Sequence, residues 1–345
     1  MKYDISVVIP FYKRDDYAKQ IYNVISDQSK KENISTELIF VDSKSRSSLE
    51  KDLNNSSSEN LNYKIFDTRD YVSVKRNFGI SKANSENIII MDDDCLPCEN
   101  FLKNHYYSLT RLNHEKILIC GMVKYKPDLI NKSNYFKFRD EGHRKFDKNY
   151  ISSKSLNLHN IVVMNMSFKK NILIDNSLEF NEEFNTYGFE DLQFSIDALC
   201  SGFKIITNQA TVIHQDSTPL KLYHKKLQSF AKTYFFLFYP YNLDKIASKN
   251  KENSNEIIVE HMKEYKILSY LGKLGMRAPK KNIILIVLFK LIGLFFNFLS
   301  FLIMNFLYNT DRYRSLYSFQ LYKLFVRITI IGSFFEKKQV NKEWL

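Results

Sequence analysis

The sequence predicts an open α/β domain followed by a basic, apolar helical region. Three observations predict it: short β-branched runs that each stop at a polar strand end, helix-length spacers between them, and an apolar stretch over 283–308. The first run, Ile5 to Ile9 (ISVVI), ends at Pro10. The second, 38–41 (LIFV), ends at Asp42, and the third, 88–91 (IIIM), ends at Asp92, Asp93 and Asp94. Such runs, buried on both faces, suit a parallel sheet. The stretches 15–28 and 73–84 have the length and spacing of helices, and strand–helix alternation argues for an open sheet. Ligands bind such sheets beyond the carboxyl ends of the strands, where Pro10, Asp42 and Asp92 to Asp94 fall. Residues 43–62, rich in Ser, Asn, Lys and Glu, read as a surface helix and loop. A polar linker over 246–256 separates a domain over 1–245 from a helical region over 257–345.

At 345 residues, 44% hydrophobic and 26% charged, the chain has a globular composition and no disordered one. Cys95, Cys98, Cys120 and Cys200 are too few for a secreted disulfide scaffold of this length, so a reducing compartment is expected. The run at Ile5 is too short for a secretory signal and is followed by Lys13 and Arg14. The net charge of +12 is not spread evenly. Asp216 to Leu345 holds 21 Lys+Arg against 9 Asp+Glu, which leaves 29 of each in residues 1–215. A neutral N-terminal half with an acidic strand end is not a nucleic-acid binder, so the basic excess points to an anionic membrane surface.

Residues 283–308 contain one charge, Lys290, and as a single helix would reach about 39 Å. Residues 315–335 place Gln320, Lys323 and Arg327 on one face of an amphipathic helix. Basic groups flank both segments, so peripheral, re-entrant and single-span attachment all remain open.

Three adjacent carboxylates at a strand end repel one another unless a cation sits among them, and hard oxygen ligands suit Mg²⁺ or Mn²⁺. Cys95 and Cys98 form a lone C-x-x-C without the second pair a zinc site needs.

Six segments, ISVVIPFYKR (5–14), ELIFVDSKS (37–45), VKRNFGISKANSENIIIMDDDCLP (74–97), NMSFKK (165–170), YGFEDLQFSIDAL (187–199) and VIHQ (212–215), occur in the order and spacing of the family 2 glycosyltransferases, which the chain resembles over about residues 3–216. The resemblance implies a GT-A fold, a Rossmann-like mixed sheet flanked by helices, over 1–245. It also implies inverting, metal-dependent transfer from a nucleotide-diphosphate sugar, first of all a UDP-sugar. By resemblance Asp92, Asp93 and Asp94 meet the cation and the donor, with Asp94, Asp92 and His214 as metal ligands for Mn²⁺ or Mg²⁺. Asp42 reads the base. Pro10, Phe11 and Arg14 line the same pocket, and Arg76 and Asn77 lie near the nucleotide. Asn165 stands where donor and acceptor meet. Of the acidic pair, Asp191 is the expected base and Glu190 orients the acceptor. The family's usual acid and Arg after that pair are Gln193 and Asp197 here. No Gln-x-x-Arg-Trp occurs, which argues against a processive synthase.

The expected protein is a glycosyltransferase at the cytoplasmic face of the cell membrane. Its acceptor is a glycan or lipid-linked molecule of a bacterial surface polysaccharide, and its partners include the membrane surface but no nucleic acid. A polyprenyl-phosphate sugar transferase and a non-catalytic sugar-nucleotide or glycan-binding scaffold are the competing readings.

Overall fold

Along Ile5–Pro10 (β1) every residue is buried, and side chains alternate between two apolar layers: Ile5, Val7 and Ile9 join one, Val8 the other. Thr36–Asp42 (β2) and Asn87–Met91 (β4) are equally buried and flank β1 in parallel. The alternation follows from the two-residue period of a strand, and burial on both faces explains why these runs are apolar without a break. The pairings Pro10 with Val41 and Val8 with Ile90 bring the carboxyl ends of all three strands level.

This computed structural model describes residues 3–43, 60–112, 115–143, 163–184, 188–233 and 283–335, with the single positions Leu49, Leu53, Ile161 and Asn242. The remaining strands are Leu61–Asp67 (β3), Cys95–Pro97 (β5), Ile117–Tyr125 (β6), Asn165–Lys169 (β7) and Lys204–His214 (β8). The helices are Asp15–Glu32 (α1), Val72–Lys82 (α2), Phe101–Arg111 (α3), Pro127–Lys132 (α4), Asn134–His143 (α5), Lys170–Asp175 (α6), Glu190–Cys200 (α7), Leu220–Thr233 (α8), Ile283–Thr310 (α9) and Phe319–Phe335 (α10). The sheet order is β3-β2-β1-β4-β7-β6-β8-β5. Its first four strands are parallel. β7 then runs antiparallel to both β4 and β6, and β5 antiparallel to β8, so the sheet is mixed.

The chain divides into two units. One comprises Met1–Lys126, Asp140–Asn185 and Glu190–Asp216; the other comprises Pro127–Arg139, Thr186–Phe189 and Ser217–Leu345. The first holds the whole sheet. The expected linker over 246–256, and most of the expected surface segment over 43–62, lie outside the described residues.

α1 covers one face of the sheet with Ala18, Ile21, Tyr22 and Ile25. Asp15 and Asp16 stand in its first turn and Lys30 and Lys31 in its last, as the helix dipole favours. It stops at Asn33, whose left-handed φ of 50° an asparagine tolerates better than most residues. On the opposite face α2 approaches β1 and β2 at Gly79, where a Cβ would stand 2.3 Å from Val8 Cγ1 and 3.0 Å from Val41 Cγ2. Only a residue without a side chain lets this helix close on the sheet, and α2 carries Lys75 and Arg76.

Where β6 shifts register between Cys120 and Met122, Asn165 fills the gap. Its Nδ2 donates to Met122 O (2.9 Å) and Ala210 O (3.0 Å), and its Oδ1 lies 2.8 Å from His105 Nε2. The other ring nitrogen of His105 lies 2.8 Å from Ser167 Oγ. A bulge frees main-chain groups, and a buried amide satisfies them.

In the second unit Asp311 seats the start of α5: its carboxylate accepts from Tyr135 N at 2.8 Å and its carbonyl from Asn134 N at 2.9 Å. α9 packs against α10 where a Cβ on Gly332 would meet Asn297 Oδ1 at 2.3 Å, and His224 Nε2 on α8 lies 3.1 Å from Ser300 Oγ on α9.

Gly79→Ala should force α2 off the sheet. Overpacking of this kind costs about 1–3 kcal/mol, read as a lower urea midpoint with an unchanged slope. An unchanged midpoint would mean the helix has room to spare.

Candidate active site

The three carboxylates that follow β4 each find a different partner. Asp92 Oδ1 accepts from Arg76 Nη2 at 3.1 Å. Asp93 accepts from Tyr12 N at 3.0 Å and from Arg14 Nη1 at 2.5 Å, both groups of the loop that leaves β1. Asp94 Oδ2 accepts from the same Arg14 nitrogen at 2.7 Å, and its Oδ1 lies 3.4 Å from His214 Nε2. The last contact is set by register: Cys95 pairs with His214, and Gln215 N donates to Asp94 O at 2.7 Å.

These partners separate the acidities of adjacent groups. Burial pushes Asp93 up to about 6, although the Arg14 guanidinium opposes it. Burial also acts on Asp94, but the hydrogen bond and charge of His214, with Arg14, outweigh it and hold the carboxyl down at about 2. Asp94 is therefore the more acidic member of the pair.

Arg76 is buried to 3% exposure and is the centre of a second cluster. Besides Asp92 it reaches Glu190 Oε1 at 3.4 Å, and its guanidinium lies 5.2 Å from the Phe180 ring. Asn77 fixes that ring's main chain, donating to Phe180 O at 2.8 Å and accepting from Phe180 N at 2.9 Å. Glu190 and Asp191 open α7. The residues before them, Gly188 and Phe189, have φ of 89° and 74°. For a bulky residue such as Phe189 that is a strained backbone, held by stacking on Phe230 at 4.1 Å.

Burial raises both acids of the pair. Repulsion from Asp191 adds to the rise at Glu190 while Arg76 opposes it, and at Asp191 Arg76 opposes burial while Asp92 adds to it. Two adjacent carboxyls raised above their ordinary range hold a proton more readily than free ones, which suits a general base. Gln193 and Asp197, which stand where the family's acid and Arg are usual, bond to each other at 3.0 Å.

Buried polar atoms without a partner are uncommon in folded proteins, yet several occur here: Asp42 Oδ2, Arg76 Nε, Glu190 Oε2, His214 Nδ1 and Gln215 Nε2. Asp42 stands at the end of β2 with its Oδ1 accepting from Ser43 N at 2.6 Å, and burial raises its pKa.

Some expected site residues are used differently. Asp92 turns to Arg76, not to the Asp94–His214 edge. The Phe11 ring is buried edge-on against Phe40 at 5.9 Å, and Pro10 is buried at the end of β1. Asn77 braces Phe180, and Asn165 is fully buried with its amide spent on the β6 bulge. Sequence reasoning missed Lys75. It is buried, donates to Phe11 O at 2.8 Å and lies 3.7 Å from Asp70, so it ties α2 to the β1 loop. Its place beside Arg76 in VKRN was the available signal. It also missed Tyr125, whose ring lies 5.0 Å from that of His214.

Residues 6–176 match the sequence model described as Glycosyl transferase family 2. The chain belongs to that family. No curated protein matches it. Among solved structures, S. aureus TarS superposes with a TM-score of 0.52 at 16% identity; the match covers 98% of this chain but 55% of TarS. TarS 1-349 in complex with UDP-GlcNAc gives 0.51 at 15%, covering 98% of this chain and 91% of that one. The mannosyltransferase PcManGT from Pyrobaculum calidifontis, in complex with GDP-Man and Mn²⁺, gives 0.54 at 14%, covering 96% and 86%. These likenesses establish the GT-A fold of the glycosyltransferase.

Among the described residues, Asp94 and His214 are placed to fit a divalent cation. Asp94 Oδ1 and His214 Nε2 face each other, a carboxylate and an imidazole that suit Mn²⁺. No group of three or more His, Cys, Asp or Glu placed so as to hold a metal ion occurs among the described residues, so further ligands would come from donor phosphates and water, as is usual for such ions.

Transfer catalysed by this pair should lose activity as pH falls, because the base must be deprotonated, and the acidic limb of kcat/KM should lie above the ordinary carboxylate range. Arg76→Lys keeps the charge but loses the two-pronged contact, so the limb should move higher still. An acidic limb at ordinary carboxylate pH in both proteins would remove the pair from the proton-transfer role.

Proposed function

We propose that the enzyme is an inverting glycosyltransferase that moves a sugar from a nucleotide-diphosphate sugar to an acceptor hydroxyl. The observation that carries this is the partly buried Glu190–Asp191 pair, raised in pKa, with Glu190 joined through Arg76 to Asp92 after β4. Asp191 takes the proton of the acceptor hydroxyl as its oxygen bonds to the anomeric carbon. The bond from that carbon to the diphosphate breaks on the opposite face, which inverts the centre and releases the nucleoside diphosphate. Glu190, held by Arg76, orients the acceptor. Asp94 and His214 would hold Mn²⁺ or Mg²⁺, which neutralises charge on the leaving diphosphate.

Asp42 Oδ2 is the acceptor for the base. Uracil, thymine and guanine all offer a ring N–H to such a carboxylate, and cytosine does not, which favours UDP-, TDP- or GDP-sugars over CMP-sugars. A UDP-sugar leads, in keeping with the UDP-GlcNAc that TarS 1-349 binds. The acceptor is a glycan or lipid-linked molecule of a bacterial surface polysaccharide, met at the cytoplasmic face of the cell membrane. The basic, apolar C-terminal helices support that placement.

Nucleotide release from a panel of UDP-, GDP-, TDP- and CMP-sugars, with Mn²⁺ or EDTA, tests this reading. Asp191→Asn should lower kcat by about 10²–10⁴-fold with donor binding retained. Full turnover in that variant would instead favour a phosphate acceptor, which needs little help from a base, and no donor binding at all would overturn the glycosyltransferase mechanism.

Arg14 is bonded to Asp94 Oδ2, beside the oxygen that faces His214, so its charge competes with metal for the same carboxylate. Arg14→Ala should bind Mn²⁺ up to about fivefold more tightly without nucleotide, a ceiling set by the ~1 kcal/mol of a half-exposed ion pair, read by the loss of free Mn²⁺ resonance signal. Weaker binding would make Arg14 a support of the metal edge and not its competitor.

A further inference from the structure

α9 wears its apolar face outward. Val287, Leu291, Leu294, Phe298 and Phe301 recur at helical spacing and are 50–62% exposed. The opposite face, with Gly293, Ser300, Met304 and Leu307, is buried. A helix on a water-facing surface shows the reverse pattern, and apolar patches this long mark an interaction site.

We propose that α9 lies in the plane of an anionic lipid bilayer, immersed along the face through Val287, Leu294 and Phe301, and does not cross it. This rests on the membrane placement above and specifies its geometry. Length and composition alone would permit a span: Lys290–Thr310 is apolar enough, and the full helix of 28 residues would reach about 42 Å against a hydrocarbon core of about 30 Å.

The packed face argues otherwise. Ser300 is bonded to His224 of α8, a helix that also carries Lys221, Lys225 and Lys226. Asn297 abuts Gly332 of α10, which carries Lys323 and Arg327. Drawing α9 through hydrocarbon would either strip these helices from it or carry their cations in, at about 2.5–3.5 kcal/mol for each charge at the bilayer centre. Lying in the interface costs neither. The partners stay on the aqueous side and only the outward stripe meets acyl chains.

The charges bordering the stripe choose the lipid. Lys290 is exposed and is the only charged residue of α9. Lys221 Nζ lies 4.2 Å from the ring of Tyr308, and Arg312 is exposed just beyond the helix. A basic border around an apolar stripe is complementary to an anionic headgroup layer.

Full-length protein would be floated with vesicles of phosphatidylglycerol and phosphatidylcholine, and with phosphatidylcholine alone. Flotation is expected with the anionic vesicles, and Leu294→Glu or Phe298→Glu should weaken it by about tenfold each. Tyr107→Glu, at an exposed ring of the other unit, should not. Nitroxides on Val287→Cys, Leu294→Cys and Phe301→Cys, with Cys98 and Cys200 replaced by Ser, should report one shallow, shared depth. A depth that climbs to the bilayer centre and falls again would overturn the in-plane geometry. Absence of flotation, or a concentration-dependent dimer abolished by Phe298→Glu in place of lipid binding, would overturn the lipid assignment. Donor-sugar hydrolysis in detergent-free buffer is read in parallel. Variants that lose lipid binding but keep hydrolysis isolate this inference from the catalytic reading, whereas loss of hydrolysis in every protein, wild type included, counts against the catalytic reading alone.

Discussion

A guanidinium taken out of water must be paid for with carboxylates, and Arg76 has two. Its bonds to Asp92 and Glu190 join the end of β4 to the start of α7, segments almost a hundred residues apart in the chain. Removing either carboxylate would leave the buried guanidinium less compensated, the costly case for a charge held out of water. That makes Arg76 the constraint on which the rest of the site depends. Gly79 lets α2 approach the sheet closely enough to deliver it, and Asn77 and Phe180 hold its plane. Without it, Asp92 and the acidic pair would face one another with nothing between them but repulsion.

The same economy divides the carboxylates after β4. Three like charges in sequence would resist ionisation together. Arg76, Arg14 and His214 each take one, and the groups end with different chemistry: Asp93 pushed up to about 6 by burial, Asp94 held down at about 2 beside His214. The acidic pair at Glu190 is treated in the opposite way, with burial and mutual repulsion outweighing one arginine. One residue type thus acquires widely different acidities by choice of neighbours.

The second unit follows a different logic. Its polar contacts are spent inside: His224 on Ser300, Asp311 on the start of α5, Arg139 over the Tyr223 ring at 4.7 Å. Its apolar side chains are left outside along α9. That stripe is the face assigned above to lipid.

Much of this was legible in sequence. The strands at Ile5, Leu38 and Ile88, the acidic strand end and the apolar helix near the C-terminus all announce themselves through the period of two, the runs of β-branched residues and the absence of charge, which are local properties. The order of the motifs singled out Asp42, Asp94, Asp191 and His214, and the structure places them at strand ends and at the start of α7. What sequence could not carry was partnership. Asp92 and Asp94 look alike in a row of three, and only the pairing of β5 with β8 turns one towards His214 while α2 claims the other. Asn165 sits in a motif that suggests the reaction centre, yet the β6 bulge consumes its amide. Lys75 and Tyr125 gain a role only through neighbours distant in the chain. Local sequence determined which elements form and which residues reach the strand ends; the tertiary structure decided which charges meet, because that depends on register and helix approach, which no stretch of sequence encodes by itself.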